Sequence, residues 1–181
     1  MSHLQTRLMP AAVAAAALLA AAFTTCSAHA AGLDIHSDAD AATIGLPVYP
    51  GAVKKAEKGD DLSGFKFGVW GESFGIKIAV VSYRSADSVD KVSAFYRDAL
   101  ARYGVVLDCS NNARKPDAAK RSDDEKKAAK DKPVTCDNDT VEAGGRLYKV
   151  GTNRAQRVFK ATPWHDGVTF ELVRVEEHGT D

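Results

Sequence analysis

The fold is decided by the stretch Asp87-Ser-Val-Asp-Lys-Val-Ser-Ala-Phe-Tyr-Arg-Asp-Ala-Leu-Ala-Arg-Tyr103. Its apolar side chains recur at steps of three and four residues, which is the period of one helix face. The members of this stripe are Val89, Val92, Phe95, Tyr96, Ala99, Leu100 and Tyr103. Asp87 suits the positive N-terminal end of a helix, and Gly104 is a typical residue just beyond the C-terminal end. We predict an amphipathic helix over about 87–103, and such a helix needs an apolar surface to lie on.

Alternating apolar and polar residues on both sides of this helix predict a sheet. The candidate strands are 65–70, 76–81, 105–107, 147–150, 157–162 and 168–175. Short turns at 71–73 and 163–167 join neighbouring strands, which favours antiparallel pairing. We therefore predict a single α+β domain over 46–176, with about six antiparallel strands and one helix packed on one face. The glycines at 64, 68, 71 and 75 are interpreted as relieving crowding or forming turns.

The first thirty residues have the layout of a secretory signal peptide. Hydrophobic residues occupy 20 of these 30 positions, and Arg7 precedes an uncharged run from 11 to 23. Small residues at Ala28 and Ala30 predict cleavage near Ala30. The run is shorter than the roughly 20 residues of a membrane-spanning helix, so cleavage is favoured over a membrane anchor. Processing as a lipoprotein at Cys26 is a further alternative, which the residues before Cys26 fit poorly.

Removal of residues 1–30 gives a chain that we expect in the periplasm or secreted, with no transmembrane segment. Residues 31–45 and 177–181 are predicted to be tails on either side of the domain. Only Cys109 and Cys136 then remain, and in an oxidising compartment a disulfide between them is the default expectation. A redox-active pair normally stands as Cys-x-x-Cys, so a structural bond is favoured.

Residues 110–135 form a charged insertion between the two cysteines. They contain 8 Lys or Arg, 5 Asp or Glu and no aromatic residue. Such a composition has too little apolar surface to offset the entropy of ordering, so we predict a solvated flexible segment. The functional interpretation is a basic arm that touches an envelope protein or an anionic surface. The alternative is a tolerated surface insertion, since lengthening a loop costs little extra entropy.

The formal charge of zero is an average over unlike parts. The chain after Ala30 carries a charge of −1, which divides into +3 for the insertion and −4 for everything else. Nucleic-acid binding normally needs a basic excess gathered on one face, so nucleic acid is not expected as a partner.

Three short motifs give the chain a resemblance to known proteins. They are Leu46-Pro-Val-Tyr-Pro-Gly-Ala52, Val81-Ser-Tyr83 and Val92-Ser-Ala-Phe-Tyr96. With them the chain resembles a group of uncharacterised bacterial exported proteins that carry a Tyr-Pro-Gly-Ala turn and a helix with Phe-Tyr at its centre. The resemblance covers about 44–175 without the insertion. It implies a bacterial envelope setting and carries over no activity.

Motifs that would indicate chemistry are missing from the sequence. There is no dinucleotide fingerprint, phosphate loop or nucleophile elbow, and no residue is predicted to be catalytic. Neither Cys109 nor Cys136 has a second Cys or His at ligand spacing, so no metal or cofactor is expected. Of the three histidines after Ala30, His36 and His178 fall at predicted chain ends, and His165 lies in a turn.

Two functions from different classes remain, and a purely structural role is also open. The favoured one is a non-catalytic module that binds a ligand or envelope partner on the sheet face left open by the helix. Its candidate ligand contacts are Trp70, Tyr83, Trp164 and His165, and this hypothesis expects several of the aromatic residues Phe65, Trp70, Tyr83, Tyr148 and Phe159 to be exposed together. The alternative is a small hydrolase or isomerase with a cleft near the 71–73 and 163–167 turns, where His165, Asp166 and Glu72 would converge.

Overall fold

A computed structural model describes residues 31–55, 64–111, 131–136 and 139–179. The described residues form one antiparallel sheet of eight strands and two helices. In chain order these are β1 (Gly32–His36), α1 (Ala41–Ile44), β2 (Val53–Lys54), β3 (Gly64–Trp70), β4 (Phe74–Ser85), α2 (Val89–Ala101), β5 (Leu107–Asp108), β6 (Arg146–Gly151), β7 (Ala155–Trp164) and β8 (Gly167–Gly179). The spatial order is β1-β3-β4-β8-β7-β6-β5, and β2 pairs with the end of β4.

The predicted helix is α2, which begins two residues later and ends two residues earlier than expected. Ser88 caps it, because its hydroxyl accepts a hydrogen bond from the backbone N–H of Lys91 at 3.3 Å. The apolar stripe of α2 packs against β6, β7 and β8. Val92, Tyr96 and Leu100 are fully buried there. The α+β architecture is thus confirmed, with eight strands instead of about six.

The segment predicted as an N-terminal tail is part of the fold. β1 pairs with β3 along its whole length, and Ala39, Ala41 and Ile44 are buried. At the other end β8 reaches Gly179, so most of the predicted C-terminal tail is also strand. The prediction of tails was wrong for two reasons. The five residues of β1 give too short an alternating pattern to be distinguished from a chain end. In addition, the pairing of β1 with β3 and of β8 with β4 joins residues that are distant in the sequence.

Side chains from the sheet and α2 bind the backbone of residues 39–49, which we call the strap. The Tyr96 hydroxyl donates to the carbonyl of Pro47 at 3.1 Å and accepts from the N–H of Tyr49 at 3.2 Å. The Tyr83 hydroxyl accepts from the N–H of Ala41 at 3.3 Å. These bonds satisfy backbone groups that would otherwise be buried without partners.

The end of α1 is held by cations. Arg157 donates to the carbonyl of Ile44 at 2.9 Å, and Arg174 donates to the carbonyl of Thr43 at 3.1 Å. Cations favour the C-terminal carbonyls of a helix for electrostatic reasons, although α1 is only one turn long. Through these contacts the strap lies across the middle of the helix-side face of the sheet.

The opposite face of the sheet is apolar, and neither helix of the described chain packs on it. Cross-strand pairing arranges its side chains in three rows. The rows are Leu33–Val69–Ile76, Ile35–Phe67–Ile78–Val175 and Phe65–Val80–Val173–Val158. We call this surface the open face. Leu33 and Ile35, at its edge, are its most exposed members, at 64% and 65%.

The predicted disulfide is present between Cys109 and Cys136, whose Cα atoms are 5.3 Å apart. It joins the end of β5 to the segment before β6 and closes the base of the insertion. Residues 112–130 of the insertion lie outside the described residues, as does the predicted signal peptide. The basic-arm hypothesis and the processing site therefore stay predictions.

The hydroxyl of Tyr96 makes a testable contribution to stability. Tyr96→Phe keeps the buried ring but leaves the Tyr49 N–H and the Pro47 carbonyl without their partner. We expect a loss of about 1–3 kcal/mol in the free energy of unfolding, measured by urea denaturation.

Tyr148→Phe is the matched control, because Tyr148 is also buried and its hydroxyl makes no hydrogen bond within the described residues. Its stability should stay within about 0.5 kcal/mol of the parent chain. Equal losses in both variants would contradict the role assigned to the Tyr96 hydroxyl.

Reduction of the disulfide should also lower stability. The bond spans a sequence separation of 27, for which restriction of the unfolded chain contributes about 3–4 kcal/mol. Urea denaturation with and without a reductant measures the difference, and Cys136→Ser should be insensitive to the reductant. A reductant effect below about 1 kcal/mol on the parent chain would refute the entropic estimate.

Candidate functional site

The four predicted ligand contacts do not lie in one place. Tyr83 is part of the core, stacked on Phe170 with its hydroxyl on the strap, so its ring is not available to a ligand. Trp70 ends β3 at one end of the sheet, whereas Trp164 ends β7 and His165 lies in the turn to β8 at the other end. The twelve residues of β4 run between these ends and span about 35–40 Å.

The same register separates the two turns of the enzyme hypothesis. The 71–73 turn precedes the first residue of β4, and the 163–167 turn adjoins its last residue through the Ser85–Val168 pair. His165 and Asp166 therefore lie at the opposite end of the sheet from Glu72. The two turns do not border a common cleft.

The Trp164 ring at the 163–167 turn is contacted by side chains of the same chain. The guanidinium of Arg84 lies 4.2 Å from the centroid of the Trp164 ring, and the His165 ring meets Trp164 edge-on at 4.5 Å. A cation over the ring face is a favourable interaction. The ring of Trp164 is thus engaged within the chain, and a shallow cleft of about 460 Å³ lies beside it.

Trp70 has a different environment, because glycines lie beneath it. A Cβ atom placed on Gly32 would come within 2.1 Å of the indole Cε2, and one on Gly68 would lie 3.5 Å from Cζ3. The ring therefore lies flat across the backbone of β1 and β3, in a position that a side chain at 32 would exclude. Trp70 nevertheless remains 44% exposed.

Two clefts meet at this ring on the helix-side face, in the part of the sheet that the strap leaves uncovered. Their volumes are about 450 and 810 Å³, and both are lined by Asp34, Trp70 and Lys77. The smaller cleft continues past His36 to Arg174, and the larger one wraps round the 71–73 turn. We call the two clefts together the Trp70 groove. The sequence pattern identified Trp70 but missed Asp34 and His36, which fell in the predicted tail.

Three ion pairs lie in and beside the groove. The His36 Nε2 and Asp34 Oδ1 atoms are 2.5 Å apart, and Lys66 Nζ lies 2.9 Å from Asp38 Oδ1. The third pair joins the Arg174 guanidinium to the Glu176 carboxylate.

The hydrogen bond from Lys66 is the main reason that the pKa of Asp38 is lowered. Such ion pairs offer hydrogen-bond donors and acceptors to a ligand, but their opposite charges largely cancel, so they create little net electrostatic field in the groove.

The Asp34–His36 pair could act in acid–base catalysis only if a nucleophile lay beside it. An acid–base dyad activates a nucleophile only within hydrogen-bond distance. Among the described residues, no serine, threonine or cysteine side chain hydrogen-bonds to His36. Thr43 of the strap lines the smaller cleft, but its hydroxyl donates to Asp40 at 2.7 Å, and this hydrogen bond lowers the pKa of Asp40.

Other titration shifts belong to the scaffold. Burial is the leading cause of the raised pKa values of Tyr49, Tyr83, Tyr96 and Tyr148. The pKa of Asp87 is lowered, first by the hydrogen bond from Lys91 and then by the one from Tyr49. None of these groups lines the Trp70 groove.

One group of potential metal ligands comes together in the described chain, namely Cys109, Cys136 and Asp139. The two sulfur atoms are bonded to each other, so neither is available as a thiolate ligand. The carboxylate of Asp139 is 2.6 Å from Lys149 Nζ. This group therefore stabilises the chain near the insertion and offers no metal site while oxidised.

The aromatic residues expected on the open face are divided between the two faces. Tyr83, Tyr148 and Phe159 are core residues on the helix side. Phe65 is on the open face and Trp70 on the helix side, as their odd spacing along β3 requires. The open face is instead mainly aliphatic.

Comparisons with protein-family models, with curated proteins and with solved structures find no match. Neither helix in the described part of the chain has the length and apolar character that a membrane-spanning segment needs.

Proposed function

We propose that this chain is an exported, non-catalytic binding module whose Trp70 groove takes one ring of a neutral saccharide. The observation that carries the proposal is the indole of Trp70, which lies flat on a glycine floor and remains partly exposed inside a concave, polar-rimmed site. Ligand sites are typically concave, with an apolar contact and a few polar groups that fix orientation.

The chemistry of the groove favours a sugar over other ring-shaped ligands. The C–H face of a pyranose is apolar and slightly positive, which complements the negative face of an indole. Its hydroxyls need both donors and acceptors, and Asp34, Arg174 and Glu176 provide both kinds.

The charges around the groove argue against ionic ligands. A cationic ligand would meet Lys66 and Lys77, and an anionic one would meet Asp34 and Glu176. This mixture of both signs of charge suits a neutral, hydroxyl-rich molecule.

A binding role accounts for the groove better than hydrolysis does. The Asp34–His36 pair has no nucleophile beside it in the described chain, and the turn residues of the enzyme hypothesis are separated by the length of β4. A catalytic function would need these groups to converge on one substrate atom.

Export is supported by the leader-like sequence of residues 1–30 and by the Cys109–Cys136 disulfide, which fits an oxidising compartment. When the full chain is expressed in a bacterial host, N-terminal sequencing of the processed protein should begin at Ala31. A chain that retains Met1, or one that begins at a lipid-modified Cys26, would contradict this part of the proposal.

Saccharide binding can be read from Trp70 fluorescence. The chain has 2 tryptophans, so Trp164→Phe leaves Trp70 as the single reporter. We expect cellohexaose, maltohexaose or N-acetylchitohexaose to give a saturable change, with a dissociation constant of about 1 mM for a shallow site. Failure of all three probes to saturate at about 20 mM would overturn the saccharide assignment.

Gly32→Ala tests the geometry in that same background. Its methyl group would occupy the position of the indole, so the ring must leave the floor and affinity should fall at least about tenfold. Gly75→Ala is the matched control, since a Cβ there would lie 3.7 Å from the Cβ of Trp70, an ordinary contact. Unchanged affinity in Gly32→Ala would contradict the flat platform.

A further inference from the structure

The sheet has one edge that is long and unprotected. β1 pairs with β3 on one side, and no strand of the described chain pairs with its other side. Four of its five residues are exposed. The other end of the sheet is β5, which has only two residues. An exposed edge presents unpaired N–H and C=O groups that can pair with another strand.

The sequence of β1 lacks two residue types that often block pairing at a sheet edge. It contains no proline and no lysine, and it forms all five of its pairs with β3 in an unbroken register. Proline, lysine or a bulge on an edge strand would hinder the addition of another strand. Leu33 and Ile35 instead extend the open face to its rim, where both are mostly exposed.

We propose that the strand partner of β1 is β1 of a second copy of this chain, in an antiparallel pair with Ile35 of the two copies directly opposite. In that register Asp34 lies opposite the partner's His36, and His36 lies opposite the partner's Asp34. A histidine N–H donates to a carboxylate whether or not the ring is charged. The pairing is therefore self-complementary across a two-fold axis.

Neighbouring registers are less favourable for physical reasons. Moving the axis from Ile35 to Asp34 places two Asp34 carboxylates directly opposite, and like charges in that position are destabilising. A slip of one residue sets Leu33 and Ile35 of one copy beside the polar side chains of the other. The alternation Leu33-Asp-Ile-His36 thus favours the Ile35-centred register over these neighbours.

The pairing also accounts for the exposed rim of the open face. Ile35 meets its counterpart across the new strand pair, and the open faces of the two copies join into one apolar surface. Because only Asp34, Ile35 and His36 of each copy pair strand to strand in this register, the contact is small and we expect a weak dimer, with a dissociation constant of about 10–500 µM. This inference does not depend on saccharide binding.

Sedimentation velocity of the full chain, expressed so that the host can process its leader, tests the dimer from about 5 to 500 µM. Ile35→Lys should weaken dimerisation at least about tenfold, because a charge on an edge strand opposes pairing. Val105→Lys is the matched control, since Val105 is 91% exposed and lies in the loop after α2. A monomer at every concentration, or equal effects of the two variants, would overturn the proposal.

A charge swap tests the register. Asp34→His alone sets two histidines opposite each other, and His36→Asp alone sets two carboxylates opposite each other. We expect each single variant to dimerise more weakly and the double variant to recover the parent affinity, because it restores the His–Asp pairs in reverse order. If the double variant is as weak as the singles, or the singles dimerise like the parent, this register is wrong.

Discussion

The buried side chain of Tyr96 connects the sheet, α2 and the strap, and the rest of the architecture depends on these contacts. Its ring stacks on Phe159 of the sheet with centroids 4.8 Å apart and meets Phe95 of its own helix edge-on. Its hydroxyl binds Pro47 and Tyr49 of the strap. A phenylalanine could supply the packing but not the hydrogen bonds, so the phenol connects an apolar core to a polar backbone.

The position of the strap determines which part of the helix-side face of the sheet stays uncovered and can bind a ligand. α2 covers β6, β7 and β8, and the strap covers the centre of the same face through its bonds to Tyr83, Arg157 and Arg174. The remaining part, formed by β1, β3 and the start of β4, is the Trp70 groove. The groove thus lies where the helix and the strap end, and the glycines at 32 and 68 form the floor on which the indole lies.

Local patterns in the sequence were sufficient for the elements with strong periodicity. The stripe of α2 and the alternation of β3, β4, β7 and β8 predicted the α+β class, and the compartment argument predicted the disulfide. β1 and β2 were missed because strands of five and two residues carry little periodic signal and depend on partners distant in the chain. α1 is similarly short, with a single capping box as its signal.

Assignment of residues to the two faces was harder than assignment to strands. Alternation shows which residues share a face but not which face the helix covers, so Tyr83, Tyr148 and Phe159 were expected to be open and are buried. Trp70 was identified as a candidate contact. The glycine surface beneath its ring was not predicted, because Gly32 lies on a strand that was predicted to be a tail. The even spacing of Gly68 and Trp70 was the available signal for a ring lying along one face.

The central claim is that the strap belongs to the cooperative core through Tyr96. Native-state hydrogen exchange of the Tyr49 amide, which donates to that hydroxyl, tests the claim most directly. The Tyr49 amide should exchange only with global unfolding, at the same free energy as the core amides of β4 and β8. Exchange of Tyr49 through a low-energy local opening, while those strands remain protected, would contradict it.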